Sequence, residues 1–151
     1  MLQIRTIATA VAATALAGAA LLPTQAQAAA GSVHLTKIYY NSPGSDTRST
    51  KSLNAEYVQI KNTTTKSVSL KGWTLVDASA HKYTFGTFTL GKGKTVTVHT
   101  GKGTNTSVSR YQGRAAYVWN NDKDKATFKK ANGTVVDTCS YNSTKVSSKV
   151  C

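Results

Sequence analysis

The chain predicts an all-β fold, an antiparallel sandwich or barrel, and three observations carry that prediction. Short runs rich in valine, threonine and tyrosine recur at intervals of about ten residues, bounded by glycine, asparagine and serine clusters. Within several runs apolar and polar residues alternate, as a half-buried strand requires. Past the first thirty residues, no window holds apolar residues at i, i+3, i+4 and i+7, the pattern of an amphipathic helix.

The first segment lies outside the predicted fold. Residues 1–28 carry Arg5, an alanine-rich apolar run from Ile7 to Leu22, Pro23, and the small-x-small Ala26-Gln27-Ala28. Such a run is short for a membrane span and fits a cleaved secretory signal peptide. The expected mature chain, residues 29–151, is a single exported domain and a monomer. With no second apolar stretch, it is expected to lack a membrane span.

The strands then follow in order. VHLTKIYY (33–40) puts Val33, Leu35 and Tyr39 on one parity, broken by Lys37. Residues 41–54, polar and holding Pro43 and Gly44, predict a long exposed loop. AEYVQIKN (55–62) alternates, with Val58 and Ile60 on the core face and Tyr57, Gln59 and Lys61 on the other. TTTKS turns the chain into residues 68–77, where Gly72 relaxes the backbone and Trp73 supplies a large core side chain. KYTFGTFTL (82–90), a GKGK turn and TVTVHT (95–100) come next, with Val96 and Val98 sharing a face. A glycine- and serine-rich loop is expected over 101–114. AAYVWN (115–120), with Trp119 in the core, ATFKK (126–130) and TVVDTCSY (134–141) complete the series.

Taken together, EYVQIKN, LKGWTLVD, HKYTF, GKGKTVTVHTGKGT, AYVWNNDKDKATF and NGTVVDTCSY resemble, in this order, the lamin-tail domain in its secreted bacterial form. The resemblance covers about residues 33–141. Its strongest pieces are the E-Y-V-x-I-x-N strand with G-W after it and the V-W-N-N-D-x-D turn. It implies an immunoglobulin-like β-sandwich and supplies no general catalytic residues. In nuclear lamins the domain is an interaction module that contacts proteins and DNA; in bacteria it accompanies nucleases, hydrolases or surface modules. This chain shows neither such a companion domain nor a coiled-coil rod, so filament assembly does not carry over.

Cys139 and Cys151 are the two cysteines. In an exported chain they predict a disulfide that pins the C-terminal tail, and neither sits in a C-x-x-C redox motif. Loss of Arg5 with the signal takes the formal charge from +13 to +12. Generic solubility is one reading of that excess; attraction to DNA or an anionic envelope polymer is the other. Candidate contacts are Lys92, Lys94, Lys102, Arg110 and Arg114, in two loops expected to share one end of the sandwich. Lys123, Lys125, Lys129 and Lys130 form a second cluster around the 120s turn. Tyr111 is the clear loop aromatic for base stacking.

No catalytic set accompanies these cations. His34, His81 and His99 lack a paired-histidine or H-E-x-x-H spacing, and no G-x-S-x-G elbow is present. GTFTLGKG (86–93) comes near a phosphate-binding loop, but Gly93 stands where Ser or Thr should hold magnesium, and no helix follows. Asn120, Asp122 and Asp124 are a weak calcium candidate, two residues apart. Lys125 replaces the required glycine there, and Ala131 the terminal glutamate. Local bonding to backbone amides is the competing use for these side chains. Glu56, the lone glutamate, is expected to pair with a lysine or to cap amides. No cofactor is expected. The function expected is non-enzymatic binding of an anionic polymer, with protein recognition as the alternative and hydrolysis third.

Overall fold

The computed structural model describes residues 31–151; the signal-peptide expectation, residues 1–28, lies outside the described residues. Its elements, in order, are β1 (Val33–Tyr39), α1 (Thr50–Ala55), β2 (Tyr57–Asn62), β3 (Val68–Ser69), β4 (Thr74–Val76) and β5 (Lys82–Thr84). β6 (Thr89–Leu90), β7 (Thr95–His99), β8 (Ser109–Tyr111), β9 (Lys123–Lys129), β10 (Val135–Asn142) and β11 (Ser148–Val150) follow. They form an immunoglobulin-like sandwich. One sheet runs β11-β1-β2-β7-β8, the facing sheet runs β10-β9-β4-β5, and β3 pairs with β6. All pairings are antiparallel except β7 with β8.

The alternating residues fill the space between the sheets. Val58, Ile60, Val96 and Val98 are fully buried from one side, and Leu75, Ala126 and Phe128 meet them from the other. Gly72 takes a φ of 78° in the turn between β3 and β4, a left-handed conformation that glycine adopts without steric penalty. Trp73, expected in the core, packs against it from a half-buried position, its ring 5.2 Å from that of Phe128. Trp119 is buried as expected, but the 115–120 segment that carries it is irregular, not a strand.

Three other expectations change. Residue Thr36 is an extra residue in β1: Leu35 pairs with Ile60, yet the next pair is Lys37 with Gln59. This bulge reverses the parity, so Ile38 and Tyr40 enter the core and Tyr39 turns outward. The 41–54 loop ends in α1, a six-residue helix that takes Ala55 from the expected strand and is capped by the Ser49 hydroxyl, which accepts from the Ser52 amide. It buries only Leu53, too little for a helical period to register in sequence. The 101–114 loop contains β8, whose three half-buried residues offer no alternation to detect.

Cys139 and Cys151 are joined, and β11 lies along the outer edge of β1. Reduction, or Cys139→Ser, is expected to lower stability by about 2–3 kcal/mol, since the bond closes a loop of twelve residues. Urea unfolding with and without reductant checks this; unchanged midpoints would show that the bond contributes nothing.

Candidate functional site

Along β9 the sequence KDKATFK alternates with period two, so Asp124, Ala126 and Phe128 face inward and Lys123, Lys125, Thr127 and Lys129 face out. Successive outward lysines therefore stand about 7 Å apart or a multiple of it. Ser140 and Asn142 of β10 lie opposite Lys125 and Lys123. Thr74 lies opposite Lys129, and Lys82 of β5 adds a further cation on the same face. Lys130 follows, exposed, at the end of the row. An open groove of about 550 Å³ lies at the other end, lined by Lys123, Lys125, Asn120, Ser140 and Asn142 among others. The structure thus gathers Lys123, Lys125 and Lys129 of the second cluster onto one face, with Lys130 just past the strand end.

The first cluster is dispersed. Lys92 and Lys94 sit in the turn before β7, whereas Lys102 follows its far end, about 17 Å away along a five-residue strand. They do not share an end of the sandwich, because a strand separates its flanking loops. Arg110 lies in β8 with its guanidinium 4.0 Å from the centre of the Phe88 ring, half-buried and directed at the core. Arg114 donates from Nη2 to the Lys82 carbonyl at 3.2 Å and from Nε to Gln112 Oε1 at 3.3 Å. Both arginines serve the sandwich wall.

The carboxylates are engaged by N–H and O–H donors of the chain itself. Asp124, buried, accepts from the amides of Ala78 at 2.9 Å, Lys125 at 2.7 Å and Asn120 at 3.2 Å. Asp137 accepts the Leu35 amide at 2.8 Å, tying β10 to β1. Asp122 accepts the Lys123 amide, and Asp46 the Asn121 side chain. Of the calcium candidate, the Asp122 and Asp124 carboxylates are thus taken up by local amides, and Asn120 takes part through its backbone. Among the described residues no three His, Cys, Asp or Glu side chains gather as metal ligands. Among the described residues the one contact between a basic and an acidic side chain is the His81–Asp77 hydrogen bond, and no lysine or arginine lies in contact with a carboxylate.

Glu56 caps amides, one of its two expected uses. Fully buried, it accepts on Oε1 from Thr100 Oγ1 at 2.7 Å and from the amides of Val118 at 2.8 Å and Trp119 at 3.1 Å. These bonds fix the irregular segment that carries Trp119. Burial pushes the carboxyl up to about 7, and the three hydrogen bonds oppose it.

The three histidines lie apart. His34 is on β1, His99 on β7, and His81 closes the turn between β4 and β5. Asp77 holds that turn by accepting both the His81 amide at 2.6 Å and His81 Nδ1 at 2.7 Å.

These features define an immunoglobulin-like domain with a lysine-bearing outer face and three of its six acids, Glu56, Asp77 and Asp124, buried. The family model of the Lamin Tail Domain matches residues 26–143, and the chain belongs to that family. The match ends before β11 and the stapled tail. No curated protein sequence matches the chain.

Proposed function

We propose that this lamin-tail domain is a secreted, non-enzymatic binding module that attaches electrostatically to an anionic polymer, extracellular DNA or the cell envelope. The observation that carries the reading is the absence of any lysine– or arginine–carboxylate pair among the described residues, in a chain of formal charge +13. Unpaired lysines keep their full attraction for phosphate, and neutralised phosphates release counterions. The face centred on Lys123, Lys125 and Lys129 is the contact surface. Lys92, Lys94 and Lys102 add a diffuse field at the two ends of β7.

Duplex DNA binding measured across a salt series tests this. Replacing Lys123, Lys125 and Lys129 by glutamine is expected to reduce the slope of log affinity on log salt by about 2–3, near 0.9 per lost phosphate contact. Replacing Lys92 and Lys94 is expected to change it less. Failure of the native protein to bind DNA or a heparin column at low salt would remove the reading.

Protein recognition is the second reading. β10, eight residues long, forms the outer end of its sheet, a position from which a strand can pair with another chain. Salt-insensitive capture of one specific protein would favour it.

A further inference from the structure

The outer face of the five-stranded sheet holds a row of rings that the lysine face does not use. Tyr39 on β1, Tyr57 on β2, His99 on β7 and Tyr111 on β8 are register partners across four adjacent strands. The Tyr39 and Tyr57 rings are 5.4 Å apart at 17°, and the His99 and Tyr111 rings 4.9 Å apart at 18°. Tyr57 meets His99 edge-on at 5.9 Å. By contrast, the interior Tyr40 and Tyr141 rings lie 3.8 Å apart at 3°, in full overlap. The outer rings are therefore shingled, and all four are half-buried, with part of each surface in solvent.

At about 4.8 Å per strand, the row is a ribbon roughly 14 Å long. Both ends are cationic. Lys37 Nζ lies 5.5 Å from the centre of the Tyr39 ring. At the other end, Lys102 precedes Gly103, which lies so close to Tyr111 that a side chain there would collide with the ring. Lys61 is exposed on the same face, and none of the five strands contains an aspartate or glutamate. Cross-strand pairing accounts for two neighbouring rings. It does not account for a solvent-facing series across four strands, ended by cations and free of acids.

We propose that this ribbon docks single-stranded nucleic acid, taking the faces of two or three bases while Lys37, Lys61 and Lys102 meet the phosphates. Sheets that read unpaired strands combine these parts, aromatic side chains for bases and cations for the backbone. Duplex DNA keeps its bases paired and stacked, so it engages only the cations. The inference rests on the anionic-polymer reading and narrows the partner to one that carries exposed bases.

Anisotropy titrations with a labelled oligothymidine and with an abasic phosphodiester oligomer of equal length test it. The native protein is expected to bind oligothymidine at least about tenfold more tightly, the effect of one or more stacked bases. Tyr57→Thr combined with Tyr111→Thr should abolish that preference and leave abasic binding unchanged. The Lys123, Lys125 and Lys129 glutamine variant should keep the preference. Should the tyrosine variant fail to fold, ring resonances of the native tyrosines provide the second readout: those of Tyr39, Tyr57 and Tyr111 should shift with oligothymidine alone.

Equal affinity for the two oligomers would overturn the ribbon and leave the electrostatic reading standing; binding of neither would overturn both. Tyrosine shifts with a neutral soluble glucan but none with oligothymidine would assign the face to a glycan and overturn the proposal as well.

Discussion

Phe128→Ala is expected to lower the free energy of unfolding by about 3–5 kcal/mol, the range for truncating a fully buried phenylalanine. Phe128 is 0% exposed and pairs with Leu75 across β9 and β4. Its ring lies 5.2 Å from that of Trp73 and 6.3 Å from that of Phe85. Removing it takes from Trp73 its ring neighbour and leaves Phe85 only Tyr83 and Phe88, in a lattice of strands that cannot collapse onto the gap. Because a domain of this size is stable by only about 5–15 kcal/mol, the variant should sit near the edge of folding at 37 °C. Trp73→Ala is expected to cost less, since that ring already has one side in water. Urea melts of the two variants decide the point; equal losses would mean that Trp73 is a full member of the core.

Glu56 makes stability depend on pH, in the direction opposite to a surface-paired carboxylate. Its folded pKa, about 7, lies above the ordinary value of 4.5, so the folded chain holds this proton more tightly than the unfolded chain. The contribution is fully present below pH 4.5 and is lost as pH rises through 7, amounting to about 3 kcal/mol at the alkaline limit. Glu56→Gln keeps an oxygen for Thr100, Val118 and Trp119 and has no charge to desolvate. At pH 4.5 the variant should match the native protein, because each then carries a neutral side chain with a polar hydrogen. By pH 8.5 the variant should be the more stable, by up to about 3 kcal/mol. Denaturation midpoints taken between these limits check it. Parallel curves for the two proteins would show that Glu56 does not titrate in this window.

Much of the sandwich could be read from residue order, because alternation is a local property. Val58 with Ile60, and Val96 with Val98, announced their faces through their immediate neighbours. The cysteine pair was equally legible, since two cysteines allow one intramolecular bond. What stayed hidden depends on partners distant in sequence. Whether Lys92 and Lys102 lie near one another turns on which way β7 points, and no composition records that. The aromatic row escaped for the same reason: its members are spread over seventy residues and meet only through strand register. Tyr39 was further disguised by Thr36, whose effect appears only beside β2. Glu56 was visible as a lone carboxylate with two expected uses, but choosing amide capping over a lysine partner required knowing that residues 118 and 119 fold back over it.

Thr36 ties two otherwise separate parts of the molecule to one another. Its carbonyl receives the amide of Cys151 at 3.0 Å, so the residue that inverts β1 also anchors the closed tail. Deleting it would carry Ile38 into water and drive Tyr39 inward, while depriving the terminal cysteine of its backbone mooring. A single codon thus sets both the texture of an entire flank and the seal at its margin, and insertions or deletions there should be tolerated far less than in the neighbouring loops.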